Sequence, residues 1–219
     1  MKKLMILLGI LFSVKTVFAQ GFKPVKIDSL VTVSMPATYT QKDTLGQHIY
    51  SANTDMGYIV TIVEPNAKGN QPLKKENDLN AVLKKYIQGI QSQSGNGSAQ
   101  FVRDTTVGTL KAKAFTLRTD DGSGDIQYRD FVLIYTTDAT YTFQYAYGDA
   151  RKDYTKEERK AYFSSIKLSP DLQRNDQYTD TRSSSSSVSP LSIIEIAGGA
   201  IVLFAIIWLL FFNRRNELA

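Results

Sequence analysis

Cysteine is absent from the 219 residues, and histidine and tryptophan occur once each, the histidine at position 48. Without cysteine there is no disulfide and no lipobox for lipid attachment. Without several Cys and His there is no metal centre of the zinc type. A Ser-His-Asp machine needs its base held against a nucleophile, and serines are plentiful. No G-x-S-x-G occurs, however, and His48 precedes an apolar run in a polar context. That histidine reads as a surface or strand-end residue. An excess of one charge is lacking too. The formal net charge is +5, but Lys2, Lys3, Lys15, Arg214 and Arg215 lie in terminal segments that handle membranes. Residues 20–190 keep a net of +2 with the signs well mixed, and nucleic-acid binding would need a basic stripe on the folded part. No internal repeat is visible.

Long apolar runs are scarce as well, and the two present sit at the ends. Met1-Lys2-Lys3, the apolar Leu4–Phe12 and Val17-Phe18-Ala19 read as a secretory signal peptide over 1–19, cleaved after Ala19. Leu191–Phe212 carries one charge, Glu195, and no proline. A bilayer core takes about 20 apolar residues as helix, so this run is long enough to span it. Asn213, Arg214 and Arg215 follow at once, in a short tail over 213–219. Basic residues beside a span stay on the cytoplasmic side, which places everything before Leu191 outside the cytoplasm. The expected location is the cytoplasmic (inner) membrane, single-pass, with a periplasmic domain in a Gram-negative host. The leader looks bacterial; in a eukaryotic host Asn96-Gly97-Ser98 would be a glycosylation acceptor. Glu195, one turn in from the outer end, either reaches headgroups or pairs with a cation on another membrane helix. Ala197-Gly198-Gly199-Ala200 permits close helix approach, without GxxxG spacing.

Residues 171–190 are polar and serine-rich and are expected to form a flexible tether. One domain, 20–170, remains, with enough chain for a proper core. Ser29–Met35 alternates as a strand and stops at Pro36; Ile49–Asn53 and Gly57–Glu64 pair as a hairpin. Leu79, Val82, Leu83, Tyr86, Ile87 and Ile90 then recur at helical spacing from about Asp78 to Ser92, with Asn77 or Asp78 as cap. Four strands follow: Gln100–Val107, Leu110–Arg118, Asp125–Thr136 and Thr140–Tyr147. Phe131–Tyr135 is apolar on both faces, which puts the third of these in the middle of the sheet. Thr155-x-x-Glu158 reads as a capping box opening a second helix, with Tyr162, Phe163 and Ile166 inward. The fold class is α+β, an antiparallel sheet flanked by helices, plus one C-terminal transmembrane helix.

The strand ending in Met35-Pro36, the mid-chain amphipathic helix, the long antiparallel strands and the closing Tyr162-Phe163-Ser164-Ser165-Ile166-Lys167-Leu168 resemble the PsbP/Mog/DcrB-like superfamily over about residues 22–169. The resemblance implies α/β/α layering and a non-catalytic binding or assembly module. It supplies no shared catalytic set and no cofactor. A C-terminal span is not typical of that group, so the partner is not inherited from it.

Three residue sets could carry chemistry. Asp121, Ser123 and Asp125 place oxygens at alternate positions, as calcium loops do, but position 132, where an EF-hand needs a bidentate Glu, is Val. Turn geometry explains the loop equally. Tyr141, Phe143, Tyr145 and Tyr147 share one face of one strand, as a core layer under a helix or as a platform for sugar or peptide; Tyr147, at the strand end, is the least settled member. Glu195 is the third, as a contact to a membrane partner. No catalytic residue and no metal or cofactor ligand is assigned, and no pair of acids is brought together by a motif. The expected function is a membrane-anchored, extracytoplasmic binding or assembly module of the cell envelope. Its partners would be another envelope or membrane protein and, through 191–212, the bilayer. The alternatives are a membrane-tethered hydrolase using carboxylates and a structural subunit of a membrane complex.

Overall fold

The computed structural model describes residues 21–67, 71–120, 122 and 124–179. The leader, Asp121, Ser123, most of the serine-rich stretch, Glu195 and the 191–212 run lie outside them. Among the described residues no helix is long and apolar enough to cross a membrane.

The described residues open with five short strands: β1 (Phe22–Lys26), β2 (Val31–Pro36), β3 (Thr40–Thr44), β4 (Gln47–Asn53) and β5 (Tyr58–Pro65). The helix α1 (Glu76–Gln93) then carries the chain to the far edge. There β6 (Ser98–Val107), β7 (Leu110–Asp120), β8 (Ile126–Tyr135) and β9 (Ala139–Gly148) return strand by strand. The large sheet has seven strands in the order β3-β4-β5-β9-β8-β7-β6, antiparallel throughout. Its two halves meet along β5 and β9, in register from Tyr58–Ala146 to Pro65–Ala139. β9, not β8, is therefore the central strand; β8 lies one place over, between β9 and β7.

One face of this sheet carries α1. The six apolar residues expected from its periodicity are all buried, each worth about 2 kcal/mol relative to exposure. They pack on Phe115, Leu117, Phe131, Leu133 and Tyr135, with the Phe115 and Phe131 rings stacked at 4.6 Å. Asp78 acts from inside the first turn, its Oδ2 accepting the Lys75 N–H at 3.1 Å. The other face carries a small sheet, in the order β1-β2-β10, and the helix α2 (Lys156–Ser164); β10 is Lys167–Leu168. Val31, Val33 and Met35 alternate inward from β2, and Tyr162 and Ile166 join them. Alternation along β8 follows from this layering: Val132 and Ile134 face the small sheet, Phe131 and Leu133 face α1.

Three details differ from the sequence reading. Thr155 precedes α2, but its hydroxyl donates to Lys152 O at 3.1 Å, so the capping box does not close. Residues 171–179, expected as the start of the tether, are packed: Leu172, Gln177 and Tyr178 are buried. The Gln177 amide accepts from Lys111 N and donates to the carbonyls of Lys111 and Tyr135, all at 2.8 Å, so the side chain acts as one rung of backbone. Finally, β6 is interrupted. Its register shifts between Gln100 and Arg103, and Phe101 there adopts φ 52° and is 74% exposed.

Candidate functional site

The sheet's alternation puts Tyr141, Phe143, Tyr145 and Tyr147 of β9 on the face of the small sheet and α2, all buried. Three of them are core with their hydroxyls, where present, tied off. Tyr141 donates to Asp28 Oδ2 at 2.7 Å, and the other oxygen of Asp28 holds the β1–β2 turn through Leu30 N and Val31 N. Tyr145 meets Thr54 Oγ1 at 3.1 Å. Gly57 must be glycine beside it, since a Cβ there would lie 2.6 Å from the Tyr145 ring and 2.5 Å from Ala146 O.

Tyr147 differs, because it ends the strand at a corner where α2 crosses. Arg159 of α2 donates through Nη1 to Tyr147 Oη and to Asp130 Oδ2, both at 2.5 Å, and through Nη2 to Lys152 O at 3.2 Å. Its guanidinium also lies over the Tyr147 ring at 4.3 Å. Thr116 Oγ1 donates to the other oxygen of Asp130 at 2.7 Å. Tyr128 stacks on Tyr147 at 5.5 Å, and Lys152 Nζ sits 4.9 Å from the Tyr128 ring centre. Burial, with the Asp130 charge next, pushes the Tyr147 phenol well above its ordinary pKa. It keeps its proton at neutral pH and is no nucleophile there. The Arg159–Asp130 pair, with side chains 16% and 19% exposed, fixes α2 to β8. Around this rigid centre the surface carries mixed charges, with Lys156 paired to Asp153 at 2.9 Å, and exposed apolar side chains. Tyr154 is 76% exposed, Met56 is exposed, and Arg151 links the two loops by donating to Met56 O at 3.4 Å. The arrangement offers exposed apolar side chains on a rigid base.

A second polar cluster lies on the α1 face, at the end of β5. Burial raises the Glu64 carboxyl to about 7 against the lowering effect of hydrogen bonds from Tyr86 and Gln47. The Tyr86 hydroxyl lies 3.5 Å from Glu64 and 3.2 Å from Thr140 Oγ1, which in turn donates to Asn66 Oδ1 at 3.2 Å.

The other sequence candidates do not join these clusters. Asp125 is exposed, and Asp121 and Ser123 lie outside the described residues. Beside them Asp120 accepts from Arg118 at 2.9 Å and from Gly122 N at 3.1 Å. Gly122 and Gly124 have φ 78° and 93°, so the loop's glycines are demanded by its backbone. Among the described residues no group of three or more His, Cys, Asp or Glu could hold a metal ion. His48 Nδ1 pairs with Asp43 at 2.8 Å in the β3–β4 hairpin, at an exposed strand end. Arg159 and Asp130 were not visible as a site in the sequence. They are 29 residues apart, and only the crossing of α2 over β8 brings them together. The one available signal was Tyr147, the aromatic at the end of its stripe.

No family model matches the chain, and no curated protein matches it. Among solved structures, a protein from Bacteroides thetaiotaomicron is similar at 10% identity and TM-score 0.42, over 68% of this chain and 49% of its own. This chain thus spans about half the length of that protein. A protein of unknown function from Pseudomonas aeruginosa is similar at 10% identity and TM-score 0.42, over 66% of this chain and 95% of its own. Cyanobacterial PsbP (CyanoP) from Synechocystis is similar at 12% identity and TM-score 0.48, over 70% of this chain and 96% of its own.

Proposed function

We propose that the chain is a non-catalytic binding module, held outside the cytoplasm by residues 191–212, and that it meets its partner at the corner of β8, β9 and α2. The observation that carries this reading is the contrast inside the corner. Arg159, Asp130 and Tyr147 are tied to one another, while Tyr154 and Met56 stand exposed beside them. Large apolar side chains set on a rigid base make good anchors, because little freedom is lost when they are covered. The topology rests on the leader at 1–19, the apolar run and the arginines after it.

Position-specific crosslinking tests it. A photoreactive residue at Tyr154, in the full chain in native membranes, is expected to trap one partner chain. The same residue at Lys42, on the edge strand β3, is expected to trap none, and Met56→Ser is expected to lower the Tyr154 adduct at least fivefold. Equal adducts from both positions, or an adduct indifferent to Met56, would remove the corner as the binding face.

A further inference from the structure

A groove of about 500 Å3 lies open between α1 and the edge strand β6. Small-molecule sites run from about 300 to 1,000 Å3, so this one has room for a ligand. Its apolar lining is Ala81 and Ile87 of α1 with Ala99 and Val102 of β6. From Asn80 to Gln91 it follows the helix for about 16 Å, at 1.5 Å per residue.

The interruption of β6 keeps this space open. In an unbroken strand Ala99 and Phe101 would point to the same face. The register shift between Gln100 and Arg103 instead gives Val102 to the lining and leaves Phe101 out of it. A smaller side chain thus stands where a phenylalanine ring would have filled the groove. The same shift breaks the row of backbone groups that an added peptide strand would need. What remains on offer is side chains.

Those side chains are apolar, amide or cationic; among the described residues that line the groove there is no acid. Lys84 is exposed on α1, and its neighbours one turn away on either side are Asn80, Ala81, Ile87 and Gln88. No carboxylate on the helix therefore competes for it. Lys113 of β7 has a side chain only 15% exposed, and its ammonium meets Asp104, its partner in register on β6. An ammonium has three protons to donate, and Asp104 takes one. An apolar trough carrying two lysines is complementary to an anion with an apolar tail.

We infer that the groove binds a free fatty acid, its chain laid over Ala81, Ala99 and Val102 and its carboxylate drawn to Lys84 and Lys113. The site is on the α1 face, away from the corner at α2, and stands independently of the partner proposed there.

The test uses the full chain with phosphatidylcholine nanodiscs and a dodecanoate bearing a terminal diazirine, the labelled peptides being mapped by mass spectrometry. Label is expected within 80–91 or 98–113. Ala81→Trp, which fills the groove, should lower it at least tenfold, and Lys84→Glu at least fivefold. Both positions are exposed, so neither substitution touches the core. Excess dodecanoate should compete, whereas dodecanol, which has the tail without the charge, and polyglutamate, which has the charge without the tail, should not. Label confined to 191–212, label indifferent to Ala81→Trp, or equal competition by dodecanol or polyglutamate overturns the proposal. Loss of label when phosphatidylglycerol replaces part of the lipid would give the groove to a phospholipid and overturn it too.

Discussion

The two faces of the large sheet are tied to their covering layers to different extents. Towards the small sheet and α2 the core is rich in tyrosine, and the hydroxyls are tied: Tyr50 to Ile27 O, Tyr141 to Asp28, Tyr145 to Thr54, Tyr162 to Thr61. Towards α1 the core also holds tyrosines, Tyr86, Tyr135 and Tyr178, but its ties are fewer and longer: Tyr86 to Thr140 at 3.2 Å and Tyr178 to Glu76 at 3.5 Å. Directional bonds hold one face in a single arrangement, since moving either layer would strand several hydroxyls at once. Apolar contact asks only for fit and dryness.

The largest effect comes from putting a charge inside the layered core. Val132 faces the small sheet, in register with Ala114 and Phe143. Val132→Asp would leave an unpaired carboxylate there, costing several kcal/mol, comparable with the stability of a whole domain. The variant is expected to be unfolded by circular dichroism. Gln127→Asp, exposed at the other end of the same strand, is expected to change stability by about 0.5 kcal/mol or less in urea melts. Equal tolerance at both positions would mean that β8 is not covered on both sides.

Next is the tie of α2. Arg159→Met removes the partner of a largely buried carboxylate and one partner of Tyr147. About 2–3 kcal/mol of stability should be lost. In a double-mutant cycle with Asp130→Asn, a coupling of 1 kcal/mol or more is expected, roughly as found for close charge pairs. Strict additivity would show that the corner is not a unit.

A third effect, of comparable size, is a pH slope, and it belongs to the α1 face. Glu64 titrates at about 7 in the fold against about 4.3 in an unfolded chain. Between those values the folded state holds a proton that the unfolded state has lost. Stability therefore falls as pH rises from about 4.5 to 7, by on the order of 3–4 kcal/mol, and stays lower above 7. Glu64→Gln should flatten that slope and raise the melting temperature at pH 8. A wild-type melting temperature independent of pH across this window would place Glu64 in water.

The elements that carry their own periodicity were legible. The α1 stripe from Leu79 to Ile90 and the alternation of β9 follow from spacing alone, and each was found buried as expected. Elements whose pattern comes from their neighbours were not. β3, Thr40–Thr44, is almost wholly exposed and has no apolar residue to alternate; β1 contains Pro24, which an edge position tolerates. Residues 171–179 have a tether's composition, yet Gln177 pairs with the backbone of two strands. Polar satisfaction of that kind leaves no periodic trace. Nor does the corner, for Asp130 and Arg159 acquire their meaning only when α2 crosses β8. The placement of β8 failed for a related reason: a strand apolar on both faces must be covered twice, but it need not be central.

The interruption of β6 bears on how molecules of this protein meet one another. A seven-stranded open sheet ends in two rows of unclaimed amides and carbonyls, an invitation to stack edge to edge into fibres. At the β6 border the shift between Gln100 and Arg103 breaks that row into two short pieces and sets Phe101 and Val102 outward between them. At the β3 border the strand is five residues long and carries Lys42 and Asp43. Neither border offers a neighbour a flat template long enough to copy, so the strained backbone at Phe101 works as a stop against unlimited growth of the sheet.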